Sequence, residues 1–301
     1  YLFVRNHVRF TPCRGISRGP ERTLLDREGS AADQAFLLLA LLRASGHADA
    51  KVCYVSKASG GFRVPLAGTA SGYDAASWTG VPATGTVSEV WASVTRQLGT
   101  AMLQGTGVIG PTLETSSIWV EHFWVRLTLG GQTYDLDPSF KPRRMTARSE
   151  SVLSDMGYTR TNLLAAAGGT TNALYVKNLS FPALSAELRR LTANLAARWA
   201  EAGPRAATDF VGADEIVPQD PAADADTFHG AIGGTAVDFL AQADAARNAM
   251  RYSLQIAHSG FTNSVWLDEI GSRRLWLSYT NAPQAYPRAV LHLDDAVLAA
   301  E

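Results

Sequence analysis

Cysteine is scarce in this chain. Its 301 residues hold only Cys13 and Cys53, which allows one bridge at most and excludes both a disulfide framework and a four-thiolate zinc site. An excess of one charge is also missing: Lys+Arg 27 stands against Asp+Glu 28, a formal net charge of -1, and no block of like charge occurs. Phosphate-driven nucleic-acid binding needs a basic face, so that class is excluded. The longest apolar run, Ala35 to Leu42, is far shorter than the roughly 20 residues of a membrane-spanning helix. No pair among His7, His47, His122, His229, His258 and His292 stands at metal-ligand spacing on a helix, so no metal is expected. Gly230-Ala231-Ile232-Gly233-Gly234 does not follow a strand of a βαβ unit and reads as a turn, not a nucleotide loop; no cofactor is expected. Lysine is confined to Lys51, Lys57, Lys141 and Lys177, a bias of a GC-rich genome without functional weight. There is no initiating Met and no leader with a basic start and an apolar middle, and the chain stops on Ala299-Ala300-Glu301. A piece excised from a longer protein is expected.

What is present is 46% hydrophobic residues, enough for a sizeable core. Leu2 to Phe10 has helical spacing and meets a breaker at Thr11-Pro12. A loop with Gly15, Gly19 and Pro20 leads to a strong helix from about Ala31 to Ser45, with Ser30 as N-cap and Gly46 as the residue that ends it. Lys51 to Ser56 reads as a strand. Residues 58–85 are rich in Gly, Ser, Thr and Pro and are followed by a helix over Val87 to Gln104, so 58–113 is expected to form a lid. Ser117 to Leu127 and Gln132 to Leu136 read as two strands joined by a Gly130-Gly131 turn, a β-hairpin. Beyond Pro138 come helical regions at about Ser149 to Ala167 and Ala183 to Ala202. In the second, Leu184, Leu188, Leu191, Leu195 and Trp199 share one face, as core packing would require. Strands return after Met250, with a boundary placed near residue 205.

Three separated features carry the chemistry. A residue in the first turn of the helix starting at Ala31 lies where backbone N–H groups and the helix dipole stabilise an anion, which suits a thiolate and the oxyanion it creates. His122 sits in mid-strand between Trp119 and Trp124. With the turn at Gly130-Gly131, His122 stands opposite about Ser139, so Asp137 is its diagonal neighbour on the same face. A carboxylate there fixes the imidazole tautomer, two-thirds of a catalytic triad. Taken alone, His122 reads as a half-buried strand histidine, and Asp137-Pro138 as an ordinary strand stop.

Together, Gly29-Ser30-Ala31-Ala32-Asp33-Gln34-Ala35, Leu41-Leu42-Arg43-Ala44-Ser45-Gly46, Val120-Glu121-His122-Phe123-Trp124-Val125 and Asp135-Leu136-Asp137-Pro138-Ser139-Phe140 resemble the transglutaminase-like superfamily in order and separation. That superfamily shares a papain-like arrangement of a helix-borne cysteine with a strand-borne His and Asp. The Asp-Gln-Ala and Asp-Leu-Asp-Pro-Ser-Phe-Lys runs look like transglutaminase-like domains of long bacterial proteins with RHS or YD repeats. The resemblance covers residues 1–145; the segments at Asp214-Glu215-Ile216 and Asp268 to Arg274 look like the β-rich part that follows there. It implies an α+β fold: a papain/transglutaminase-like core over 1–145 in which the helix packs on an antiparallel sheet, a helical extension over 146–204 and a β-rich C-terminal region over 205–301. It also implies cysteine-type acyl transfer on peptide or glutamine amides, by a protease, amidase or transglutaminase. Its partner is a polypeptide substrate, and its setting a bacterial secreted or cell-surface protein.

The superfamily's nucleophilic cysteine falls on Ala31, and a methyl group cannot attack a carbonyl. As written the chain is expected to be inactive. Either a cysteine has been changed to alanine by design, or a natural module has lost its nucleophile and uses the cleft to bind a peptide or protein. The presence of His122, Asp137 and the tryptophans Trp119 and Trp124, read as cleft walls with core packing the expected role of at least one of them, favours the first. By position, Cys13 is the one alternative nucleophile and Cys53 a small buried hydrophobe. Hydrolysis ranks ahead of transamidation.

Overall fold

In the computed structural model the chain divides into two units, Tyr1–Arg144 with Ile216–Glu301, and Met145–Glu215. The residues described are 1–56, 58, 60–102, 107–172, 174–203, 206–220, 231–232, 235–258, 261–271, 273–280 and 288–300. Helix and sheet are mixed, as in an α+β protein. Among the described residues, no helix is long and apolar enough to cross a membrane.

The first unit opens with α1 (Leu2–His7), β1 (Arg9–Phe10), α2 (Gly19–Asp26) and β2 (Glu28–Gly29), and then α3 (Ala31–Ala44). Helix α3 starts where the sequence says it should. The Ser30 hydroxyl accepts from the Asp33 N–H, and the Asp33 carboxylate accepts from the Ser30 N–H, a reciprocal capping box worth about 1 kcal/mol. Gly46, at φ +93, lets the chain turn away after the helix. Helix α3 packs on β6 (His122–Leu129), which lies between β3 (Lys51–Val55) and β7 (Gln132–Leu136) in a four-stranded antiparallel sheet whose far edge is Val237–Asp238. The β6–β7 register pairs Leu129 with Gln132, and Gly130 and Gly131 take the positive φ that a two-residue turn demands.

Two expectations change here. The strand read as Ser117 to Leu127 is two strands: β5 (Ser117–Val120) pairs with β4 (Phe62–Pro65) in a second sheet, and the chain changes sheets at Glu121. Residues 58–113 are also not a lid over their described length. Strand β4 and helix α4 (Ala75–Thr79) put Phe62, Val64, Leu66, Tyr73, Ala76 and Trp78 into the core. The glycines and prolines there punctuate short elements instead of replacing them. The following helix α5 (Val87–Met102) is interrupted by Gly99, at φ 70 and ψ 158. The C-terminal part of this unit carries a hairpin of Ser253–His258 with Phe261–Trp266 and a sheet of Leu275–Thr280, Arg288–Leu293 and Ala296–Ala300. Of the glycine-rich stretch read as a turn, Ala231–Ile232 pairs with β4, and its glycines lie outside the described residues.

The second unit runs from Met145 to Glu215, where 146–204 had been read as the extension. The helical region expected over Ser149 to Ala167 is two short helices, α6 (Val152–Met156) and α7 (Arg160–Ala166), separated by Gly157, at φ 68, and by the new N-cap Thr159. Both pack on α8 (Phe181–Ala202). Of the α8 stripe only Leu191 is fully buried; Leu188 is exposed, and Trp199, 37% exposed, packs at a tilt against Phe210 and donates to Asp155. Two short helices are too little to cover a stripe five residues long.

Candidate active site

The β6–β7 ladder holds His122 and Asp137 on one face just beyond its last pair, Val125 with Leu136. The His122 Nε2 N–H donates to Asp137 Oδ2 at 2.6 Å. The other oxygen of Asp137 accepts from the Ser139 N–H and hydroxyl, both at 3.0 Å, and from the Phe140 N–H at 3.1 Å. Burial alone would raise this carboxyl, but the charge and hydrogen bond of His122 and the N–H groups of Phe140 and Ser139 hold it below the ordinary carboxylate value. An ionised carboxylate can only accept, so the shared proton belongs to Nε2. Nδ1 is left buried with no hydrogen-bond partner among the described residues.

The imidazole is clamped by rings. Phe62 stacks on it at 4.1 Å, Trp78 meets it edge-on at 5.6 Å, and Trp124 lies parallel at 6.4 Å. Trp124 is 0% exposed and its indole donates to Asp135, so it backs the histidine as core and walls no cleft. Trp119 belongs to β5, opposite Arg63 in the other sheet, and is half-buried there. The break at Glu121 separates the two tryptophans that sequence had paired. Phe62 and Trp78, both fully buried, are the rings that pack directly on His122; no motif spacing marks either.

Ala31 is the first residue of α3 and is 2% exposed. Its segment is tied to that of Asp137 by a contact across 107 residues: Lys141 Nζ donates to Gln34 Oε1 at 2.8 Å. Lys141 also donates to the Val4 carbonyl at 3.4 Å and to that of Val8, while Gln34 Nε2 donates to the carbonyls of Arg9 and Gly29. Burial pushes the Lys141 ammonium well below its ordinary value. The Asp-Gln-Ala and Phe-Lys runs therefore meet. A second link runs from β1, where Phe10 pairs with Gly29 and stacks on Trp78 at 4.3 Å, to Trp78, whose indole donates to the Ser139 carbonyl at 2.8 Å.

Asp33 completes the support, accepting from the N–H groups of Ser17, Arg18 and Gly19 as well as from Ser30. It thereby fixes the loop before α2 to the start of α3. Cys13 lies in that loop beside Ser17, its thiol donating to the Ser17 hydroxyl at 3.6 Å; burial raises its pKa. Cys53 is buried opposite Trp124, and burial pushes its thiol up to about 11. Neither environment makes a thiolate. Sequence reading also missed Glu121, which accepts from Arg14 Nε at 2.6 Å and from the Tyr54 hydroxyl at 3.0 Å. Among the described residues no group of three His, Cys, Asp or Glu side chains is placed to hold a metal.

In comparisons with known proteins, no family model, no curated protein and no solved structure matches the chain.

Proposed function

We propose that this domain is a transglutaminase-like acyl-transfer scaffold with a papain-like core, acting on peptide or glutamine amides when residue 31 is cysteine and inactive with Ala31. One observation carries the reading: the buried Nδ1 of His122, which has no hydrogen-bond partner among the described residues. Leaving a polar nitrogen buried without a partner costs on the order of 1–3 kcal/mol. The Asp137 contact fixes the other nitrogen as donor, so Nδ1 is the atom left to exchange a proton with a nucleophile.

In the active form, His122 Nδ1 takes the thiol proton of a cysteine at position 31 and the sulfur attacks the amide carbon. The oxyanion forms against the N–H groups at the start of α3, which have no partner within the helix. The C–N bond breaks as His122 returns the proton to the leaving amine, and water or a second amine cleaves the thioester. Asp137 orients the ring throughout. Installing the nucleophile by Ala31→Cys is expected to give turnover of a peptide amide, or its exchange with a primary amine, and His122→Ala in that background to abolish it. A folded Ala31→Cys protein without turnover contradicts the proposal.

A second reading is supported by Ala31 itself. A methyl group where a nucleophile is required suits a natural non-catalytic peptide- or protein-binding module of a large bacterial secreted or surface protein. Codon 31 of the native gene separates the two: a cysteine codon removes this reading, and an alanine codon removes the engineered one.

A further inference from the structure

We propose that Phe62 is a positioning residue for the acyl transfer proposed above, on which its role rests: the ring holds the His122 imidazole flat and stabilises the positive charge that His122 takes on with the thiol proton. Phe62 stands in β4 opposite Val120 of β5, with Ile232 on its other side, and is 0% exposed. Phe140 meets it edge-on, at 5.5 Å and 88°. These neighbours fix the ring. It lies almost parallel to the imidazole, with centroids 4.1 Å apart and planes 13° from each other.

Burial makes that charge a problem to be solved. His122 is 0% exposed, so an imidazolium there has no water around it, and a buried charge without compensation is costly. Hydrogen bonding reaches only the edge of the ring: Nε2 is held by Asp137 at 2.6 Å, and Nδ1 is the atom left for the nucleophile. The flat faces carry no hydrogen-bonding atom. What stabilises a cation against them is the negative face of an aromatic ring within about 6 Å of its centroid, which Phe62 presents. Trp124, parallel but 6.4 Å away, lies beyond that range, and Trp78 stands at 78° to the imidazole. The charged groups of the surrounding elements are engaged elsewhere. Asp33 on α3 accepts from Ser17, Arg18, Gly19 and Ser30, Lys141 donates to Gln34 and to the carbonyls of Val4 and Val8, and Glu121 accepts from Arg14 and Tyr54. Arg63 on β4 donates to the Ser117 hydroxyl, Asp74 before α4 accepts from Thr69 and Ser77, and Lys51 and Arg126 on β3 and β6 pair with Asp238 and Asp135. Among the described residues Asp137 is the one charged side chain hydrogen-bonded to the imidazole.

The test is the pH–rate profile of iodoacetamide labelling in Ala31→Cys, with Phe62 replaced in turn by mono-, di- and trifluorinated phenylalanine. Fluorine withdraws negative potential from the face of the ring and hardly changes its size, so a ring that only fills space leaves the profile where it was. The labelling midpoint at position 31 is expected to rise with each fluorine, by about 0.4–1.5 pH units over the series, the range that loss of a cation–π contact gives. Phe62→Leu, apolar but without a π-face, should raise it as well. A midpoint that stays put along the fluorine series, while His122→Ala still raises it, overturns the role of Phe62 and leaves acyl transfer standing. The midpoint of a free thiol in every protein removes the thiolate–imidazolium pair, and both proposals with it. Missing turnover in Ala31→Cys, with a midpoint that climbs with fluorine, contradicts acyl transfer and upholds the role of Phe62.

Discussion

Placing a cysteine at position 31 tests the electrostatics of the site before any substrate is known. A free thiol, with pKa about 8.5, is roughly 3% thiolate at pH 7. The start of α3 and His122 both favour the anion, and sites of that kind hold thiols at about 3.5–7.5; even the upper limit makes roughly a quarter of the sulfur thiolate at pH 7. Burial works the other way, as it does at Cys13 and at Cys53, pushed up to about 11, so the claim is that dipole and imidazole outweigh it. At pH 7 a thiol at 11 is ionised to about one part in ten thousand, so the introduced thiol should exceed Cys53 in thiolate by about a thousandfold. Access is restricted at a residue 2% exposed, which slows alkylation at every pH alike. The midpoint of the pH–rate profile is therefore the quantity to read. Iodoacetamide labelling of Ala31→Cys, mapped by peptide mass with Cys13 and Cys53 as internal references, should give a midpoint at or below about 7.5, moving upward with His122→Ala. A midpoint at the value of a free thiol, unchanged by His122→Ala, refutes the reasoning.

Two further outcomes follow from the support of the site. Gly15 has φ +67, and a Cβ there would lie 2.0 Å from the Met250 carbonyl oxygen, which accepts from the Ile16 N–H; Gly15→Ala should cost at least about 2 kcal/mol in urea unfolding, and an unchanged midpoint contradicts the packing described. For Lys141, burial lowers the folded-state pKa, so the unfolded chain binds the extra proton and stability rises with pH, by up to about 1.4 kcal/mol per unit, until the unfolded value near 10.4 is passed. Lys141→Met should flatten that rise on the alkaline side, below about 10; a slope equal to that of the parent protein counts against a depressed lysine.

Local signals carried well. Ser30 and Gly46 mark the ends of α3 because capping is decided within a turn of sequence, and Gly130-Gly131 fixes the β6–β7 register, which carries His122 and Asp137 to the same face. Pattern fails where the decision is tertiary. Nothing in the string announces that the chain leaves one sheet at Glu121 and enters another, so Trp119 and Trp124 part company. Phe62 and Trp78 lie in a stretch whose glycines and prolines disguise two buried elements. The Gln34–Lys141 bond spans 107 residues: both residues stood inside runs quoted for their resemblance, yet their pairing is visible only in three dimensions. On α8 the periodicity was real, but the elements opposite are too short to cover it.

The central claim is that His122, with Nε2 fixed by Asp137, serves a nucleophile at the start of α3. The most direct measurement is the acyl-enzyme itself. Ala31→Cys is mixed with an activated acyl ester, quenched in acid within seconds, and the peptide bearing residue 31 is weighed. The account predicts one acyl group on that residue, absent when His122→Ala is added and released when a primary amine or time in water follows. Acylation that is missing, or that proceeds at the same rate without His122, contradicts it.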